Sequence, residues 1–304
     1  MNCISINQLN SASLDAERMI ASGENSYANG ISAAAEKIFA RREERPVVLI
    51  SGPSGSGKTT SAHRIAQLLK DNGCEAHTIS MDNYFKALSK EELELADRGE
   101  FDFESPMRLD IELFREHIEK LSRCEKIDIP AFDFAKQQRI KGMPLQIKKG
   151  DIVILEGIHA LNPLVTGDSD SYTSCVYVSV RTRIEAENGD LLHPSKIRLM
   201  RRLIRDKLYR GRDLPETFEF FRSVEIGEGK YIMPYKDRAH FDIDTFIPYE
   251  ALVYRDILLP ELAKAAQTYS DYERYADIER FLKELCSIDR SLVPENSLVR
   301  EFIG

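Results

Sequence analysis

The chain of 304 residues has no tryptophan, and its five cysteines, Cys3, Cys74, Cys124, Cys175 and Cys286, are scattered without a C-x-x-C pair. An odd, dispersed set argues against a disulfide framework and against a zinc site, so the thiols are expected to be free and buried. No apolar run approaches the ~20 residues that span a bilayer, and the opening MNCISINQLN lacks the basic start and apolar core of a secretory signal. A surplus of positive charge is missing too. The net charge of -8 disfavours non-specific binding to nucleic acid or to anionic membrane. These absences together predict a cytoplasmic protein with neither kind of partner. What remains, 42% hydrophobic and 30% charged residues, is ordinary for a globular chain long enough for one large α/β domain or two small ones.

Apolar periodicity then sets the organisation. VVLIS after Pro46, DIVILEG and SCVYVSV are short β-branched runs and read as buried parallel strands; EAHTISMD reads as another, and DIDTFIP as a fifth. Between them SAHRIAQLLKDNG and Leu109 to Leu121 have helical spacing, as do Glu250 to Tyr269 and Asp271 to Cys286. RIKGMPLQIKKGD alternates around Gly142 and Pro144, which predicts a hairpin there. Strands alternating with helices give a parallel sheet covered on both faces, with ligands at the carboxyl ends of its strands. The expected divisions are a partly helical extension over 1–45, a main domain over 46–290 and a tail over 291–304.

Between the first strand and the helix after it stands Gly52-Pro53-Ser54-Gly55-Ser56-Gly57-Lys58-Thr59, which fits G-x-x-x-x-G-K-[ST]. Glycines let the backbone curl so that its N–H groups face phosphate oxygens, and the helix adds its positive end. Lys58 has the reach for the β- and γ-phosphates, and the Thr59 hydroxyl suits Mg²⁺. The nucleotide site is therefore expected to be a P-loop in a P-loop NTPase fold.

Two acids close predicted strands on the same edge, Asp82 after HTISM and Glu156 after IVIL. Each is placed for the metal or the reacting hydroxyl, against the plainer roles of helix cap or solvated loop acid. The segment SKIRLMRRLIRDKLYRGRD carries eight basic residues in a chain of net negative charge. It reads as a mobile lid over about 195–213 that closes on phosphates, against a solvated basic helix or a nucleic-acid contact.

In order, GPSGSGKTT, MDNYF, FDFESP, PAFDFAKQQR, VILEGIHALNP and RLMRRLIRDKLYRGRD resemble the uridine kinase and phosphoribulokinase family of P-loop kinases, over residues 45–215. GEGKYIMPYKDRAHFDIDTFIPYE and VPENSLVREFIG resemble a bacterial uridine-kinase-like branch of it. The resemblance implies an ATP- and Mg²⁺-dependent kinase in which Asp82 is the general base. Gly52, Ser54, Gly55, Ser56, Gly57, Lys58, Thr59 and Thr60 would hold the nucleotide together with Arg205 and Arg210. Catalysis would fall to Asp82, Lys58 and Arg205, and the metal to Thr59, Asp82 and Glu156. Arg202 and Arg212 would face the acceptor with Glu104, Phe132 and Gln137. Those last three depart from the uridine kinase pattern, which has an aspartate before His-Pro, a base-stacking tyrosine and a base-reading histidine at the matching places.

The expected activity is phosphoryl transfer from ATP to a hydroxyl of a small molecule, a nucleoside or another hydroxyl compound. A nucleotide-binding sensor or inactive kinase homologue is the alternative. A GTPase switch is disfavoured because no N-K-x-D or T-K-x-D segment is present. The C-terminal helices leave a homo-oligomer open.

Overall fold

In the computed structural model, which describes residues 2–134 and 136–304, five strands form one wholly parallel sheet. Their order is Phe241–Asp244, Thr173–Ser179, Val47–Ser51, Ile152–Glu156 and Ala76–Ser80. The P-loop strand is central, and all five carboxyl ends share one edge.

Alternation along each strand divides the interior into two cores. Val48 and Ile50 join Ile152, Ile154, Val176 and Val178 on one face, while Val47 and Leu49 join Val153, Leu155, Cys175 and Tyr177 on the other. Both faces are buried, which is why these strands read as continuous apolar runs. Helices Ala16–Ala40, Lys58–Asp71, Pro194–Arg210 and Glu250–Thr268 cover the first face. Ile111–Ser122 covers the second: Asp110 caps it by accepting from the Leu113 amide, and Phe114, His117, Ile118 and Leu121 form its buried stripe. Each large apolar side chain of that stripe contributes on the order of 1.5–3 kcal/mol.

Several expectations are corrected. RIKGMPLQIKKGD is not a hairpin by itself, because Gln138–Leu145 pairs antiparallel with the preceding Ile127–Asp133. Gly142 lies inside a strand because its backbone meets Ile129 so closely that a Cβ would stand 1.6 Å from that carbonyl oxygen. The weakly patterned start is helical over Ile6–Ser13 and Ala16–Ala40, and Cys3–Ser5 pairs parallel with Arg183–Glu185. Leu214–Tyr231, given no element in the sequence reading, is a helix. The cysteines are free, but only Cys74 and Cys175 are buried; Cys3 and Cys286 are exposed. Among the described residues no helix is long and apolar enough to cross a membrane.

Candidate active site

The P-loop owes its shape to bonds made behind it. The Ser54 carbonyl accepts from Arg198 at 2.9 Å, the Gly55 carbonyl from Arg201 at 3.0 Å and the Ser56 carbonyl from the Thr245 hydroxyl at 2.7 Å. A carbonyl and the following amide point in opposite directions, so the tied Ser54 and Ser56 carbonyls turn the Gly55 and Gly57 amides toward the cradle, while the Ser56 amide donates to the Pro53 carbonyl at 3.2 Å and closes the loop on itself. Gly57 begins helix Lys58–Asp71 in the left-handed region, at φ 81°, with no side chain capping the first-turn amides. Helices beginning after Ser5, Asp15, Ser89, Asp110 and Asp213 all have a side-chain cap. The uncapped amides, together with the buried and unpartnered Ser56 hydroxyl, fit a polyphosphate. Lys58 folds onto the Pro53 carbonyl at 3.2 Å. Burial lowers its proton affinity, which Glu156 and Asp82 partly restore.

The carboxylates stand beside this cradle. Glu156 is paired in register with Ile50 on one side and Ser80 on the other. It is buried and accepts from the Thr59 hydroxyl at 3.2 Å. Asp82 does not end its strand; it lies two residues beyond, in the 3₁₀ turn Met81–Tyr84. Desolvation and then the charge of Glu156 raise its pKa, while Lys58 and Arg108 pull it down. Two carboxylates and a hydroxyl that crowd each other next to a phosphate cradle suit Mg²⁺, which takes few protein ligands and relies on substrate phosphates for the rest.

Most of the basic segment is one helix. Helix Pro194–Arg210 is anchored in the core, where Arg198 closes on Glu228 at 2.5 and 2.8 Å and Arg201 on Glu250 at 2.7 and 2.9 Å. Leu208 and Tyr209, toward its carboxyl end, are exposed. Asp206, fully buried, gathers the four predicted arginines: Arg210 at 2.8 Å, Arg202 at 3.2 Å, Arg212 at 3.8 Å and Arg205 at 4.0 Å. One carboxylate against four guanidiniums leaves a positive excess, and Arg202 directs part of it at the Ser54 hydroxyl, 3.3 Å away. Asp206 escaped the sequence reading, although its position four residues from both Arg202 and Arg210 marks it as their common neighbour.

Of the residues expected to face the acceptor, Glu104 packs against Gly227, where a Cβ would come within 2.3 Å of its own Cβ. Desolvation raises the Glu104 pKa and Arg202 opposes the shift. Phe132 is buried against Phe85 and Phe134, at centroid distances of 6.0 and 5.2 Å. Gln137 is exposed, in a left-handed conformation at φ 51°, and its amide donates to the Phe134 carbonyl at 2.8 Å. It is thus held by its own turn, whereas Glu104 sits close enough to Arg202 for each to shift the other's pKa.

Three further residues join the site from outside the sequence assignments: Arg108, Glu301 and His159. The Thr60 hydroxyl donates to Glu301 at 2.5 Å, Arg205 lies 3.9 Å from the same carboxylate, and Leu298 sits over Gly57. The C-terminal residues therefore pack on the nucleotide side of the cleft, a contact no local pattern announces. His159 is buried with Nδ1 unpartnered, and burial pushes its pKa down to about 4, so the ring is neutral near pH 7.

Amides, a lysine and arginines aimed at one place, with two carboxylates at the next, serve phosphoryl transfer, and the fold and site together define a P-loop kinase. Residues 47–248 match the Phosphoribulokinase / Uridine kinase family, and the chain belongs to it. It is similar to the uridine kinase of Borrelia duttonii (strain Ly), 31% identical over 66% of this chain and 85% of that protein. The uridine kinase of Clostridium novyi (strain NT) is 30% identical over 67% and 88% respectively, and that of Halobacterium salinarum 30% over 71% and 85%. The chain is an ATP-dependent kinase of the uridine kinase-like kind.

Proposed function

We propose that the protein transfers the γ-phosphoryl group of ATP to a hydroxyl of a small molecule held between Asp82, Glu104 and the Phe85–Phe132–Phe134 cluster. The observation that carries this reading is the juxtaposition of Asp82 and Glu156 with Thr59 at the mouth of a cradle whose carbonyls are tied away. P-loop amides, Ser56 and Lys58 bind the phosphates, with Thr60, Arg205 and Arg210 beside them. Thr59, Glu156 and Asp82 would hold Mg²⁺, which when bound neutralises charge on the β- and γ-phosphates. Asp82 orients the acceptor hydroxyl and takes its proton; its raised pKa brings it nearer the range in which a base works well. Arg202 and Arg212, gathered by Asp206, close the acceptor side and keep out water, which would compete as acceptor.

The relatives are named for uridine. Glu104, Phe132 and Gln137 differ from the pattern by which such kinases hold the nucleoside, and Gln137 is engaged within its own turn. A hydroxyl compound other than uridine is therefore the preferred acceptor. Asp82→Asn tests the assignment of the base. ADP release in the presence of acceptor should fall about 10²–10⁴-fold while ATP affinity changes little. Turnover within threefold of the parent would remove Asp82 from the mechanism.

A further inference from the structure

Four arginines are more than nine-tenths buried: Arg108, Arg198, Arg201 and Arg202. Three are closed by carboxylates, Glu228, Glu250 and Asp206 respectively. Arg108 enters no ion pair among the described residues, and its Nε has no hydrogen-bond partner. A guanidinium has five in-plane donors, and shutting one of them, the Nε–H, away from solvent without an acceptor is costly. Its surroundings are aromatic, with Phe85 at 4.9 Å and Phe101 and Phe103 each at 5.7 Å from the guanidinium carbon. Rings cover the face of the cation but do not accept from its edge.

The location decides what the edge is for. Arg108 closes the short turn Pro106–Arg108, four residues after Glu104. Its carbonyl accepts from the Lys86 amide at 2.9 Å, and Phe85 bridges to Leu109, so the Arg108 backbone is pinned to the chain that leaves Asp82. Phe85 in turn packs on Phe132 and Phe134. The cation therefore sits within the acceptor wall, near enough to Asp82 and Glu92 to feel both charges without pairing with either.

We propose that the acceptor is an anion, a small hydroxylated molecule bearing a phosphate or carboxylate group, and that Arg108 binds this group. The proposal rests on the kinase reading above for the word acceptor, but not for the anion site itself. Bidentate pairing of guanidinium with either oxyanion supplies the missing acceptors and sets the acceptor at a fixed distance from Asp82. It also gives a role to a pocket that departs from the nucleoside pattern.

Two measurements on the full chain test it, with Arg108→Met keeping the side-chain volume, Arg108→Lys keeping the charge, and thermal melts verifying that both fold. In the first, inorganic phosphate and acetate are titrated into protein loaded with a non-hydrolysable ATP analogue, so that the γ-phosphate position is filled. At least one anion should bind about tenfold or more tightly to the parent than to Arg108→Met, with partial recovery in Arg108→Lys. Equal binding by parent and Arg108→Met overturns the site. In the second, ADP release is followed with ribose, ribose 5-phosphate and ribonate. One charged member should exceed ribose about tenfold in kcat/KM, and which one does so separates phosphate from carboxylate. Arg108→Met should remove that preference mainly through KM. An equal loss of kcat on charged and neutral acceptors overturns the proposal, since Arg108 would then serve the transferring phosphoryl group. Anion binding that depends on Arg108, in a protein that turns over no acceptor, would leave this site standing and remove the kinase reading instead.

Discussion

Arg201 and Glu250 form a fully buried, two-bond ion pair, and the guanidinium that Glu250 holds also donates to the Gly55 carbonyl of the P-loop. A charge pair in the core thereby fixes the orientation of the Gly55–Ser56 peptide, whose amide in turn closes the P-loop on the Pro53 carbonyl. Buried pairs seldom add net stability, but opening one leaves an uncompensated charge.

Arg201→Met should therefore destabilise the protein by about 3–5 kcal/mol in urea unfolding. Arg201→Met combined with Glu250→Leu should recover most of that loss. ATP affinity should stay reduced in the double variant, because the Gly55 carbonyl is no longer tied. A double variant that binds ATP as the parent does would show the tie to be incidental.

Asp206 organises Arg202, Arg205, Arg210 and Arg212. In Asp206→Asn the guanidiniums repel one another without a common anchor. The positive field remains while the geometry is lost, so kcat should fall roughly tenfold or more as the KM for ATP stays level or drops. Steady-state kinetics at two salt concentrations checks this, and an unchanged kcat rejects the organising role.

Glu301 places a carboxylate on Thr60, beside Arg205 and next to the phosphate cradle. A like charge there opposes nucleotide. Glu301→Gln should tighten ATP binding several-fold, by roughly 1 kcal/mol, with little change in thermal stability. Weaker binding in a titration would instead make Glu301 part of the nucleotide site.

His159 is neutral in the folded protein down to about pH 4, whereas the unfolded chain protonates it near 6.5. Its contribution to stability is therefore complete above pH 6.5 and is lost as the pH falls toward 4, by up to about 3 kcal/mol. His159→Gln should flatten the fall in urea stability across that window. A parent and variant with parallel profiles between pH 6.5 and 4 would contradict the assignment.

Much of this site lay in the sequence because phosphate chemistry uses short, local devices. The P-loop is eight consecutive residues, and Glu156 ends an apolar strand whose neighbours follow from parallel pairing. Asp82 was legible to within a residue or two, since only the cap at Ser80 decides where strand becomes turn. Arg198, Arg201 and Arg202 look alike in a basic run. One closes on Glu228, one on Glu250 and one on Asp206, and the partners come from different stretches of chain.

The sequence by itself determined the fold class, the phosphate cradle and the carboxylates, because strand alternation, helix spacing and the glycine pattern are set by residues near one another. Only the tertiary structure decided which arginines support the loop and which gather on Asp206. It alone placed Glu301 on Thr60 and left Arg108 buried without a counter-charge. Charge pairing over such separations depends on which helices share a core, and residue spacing carries no record of that.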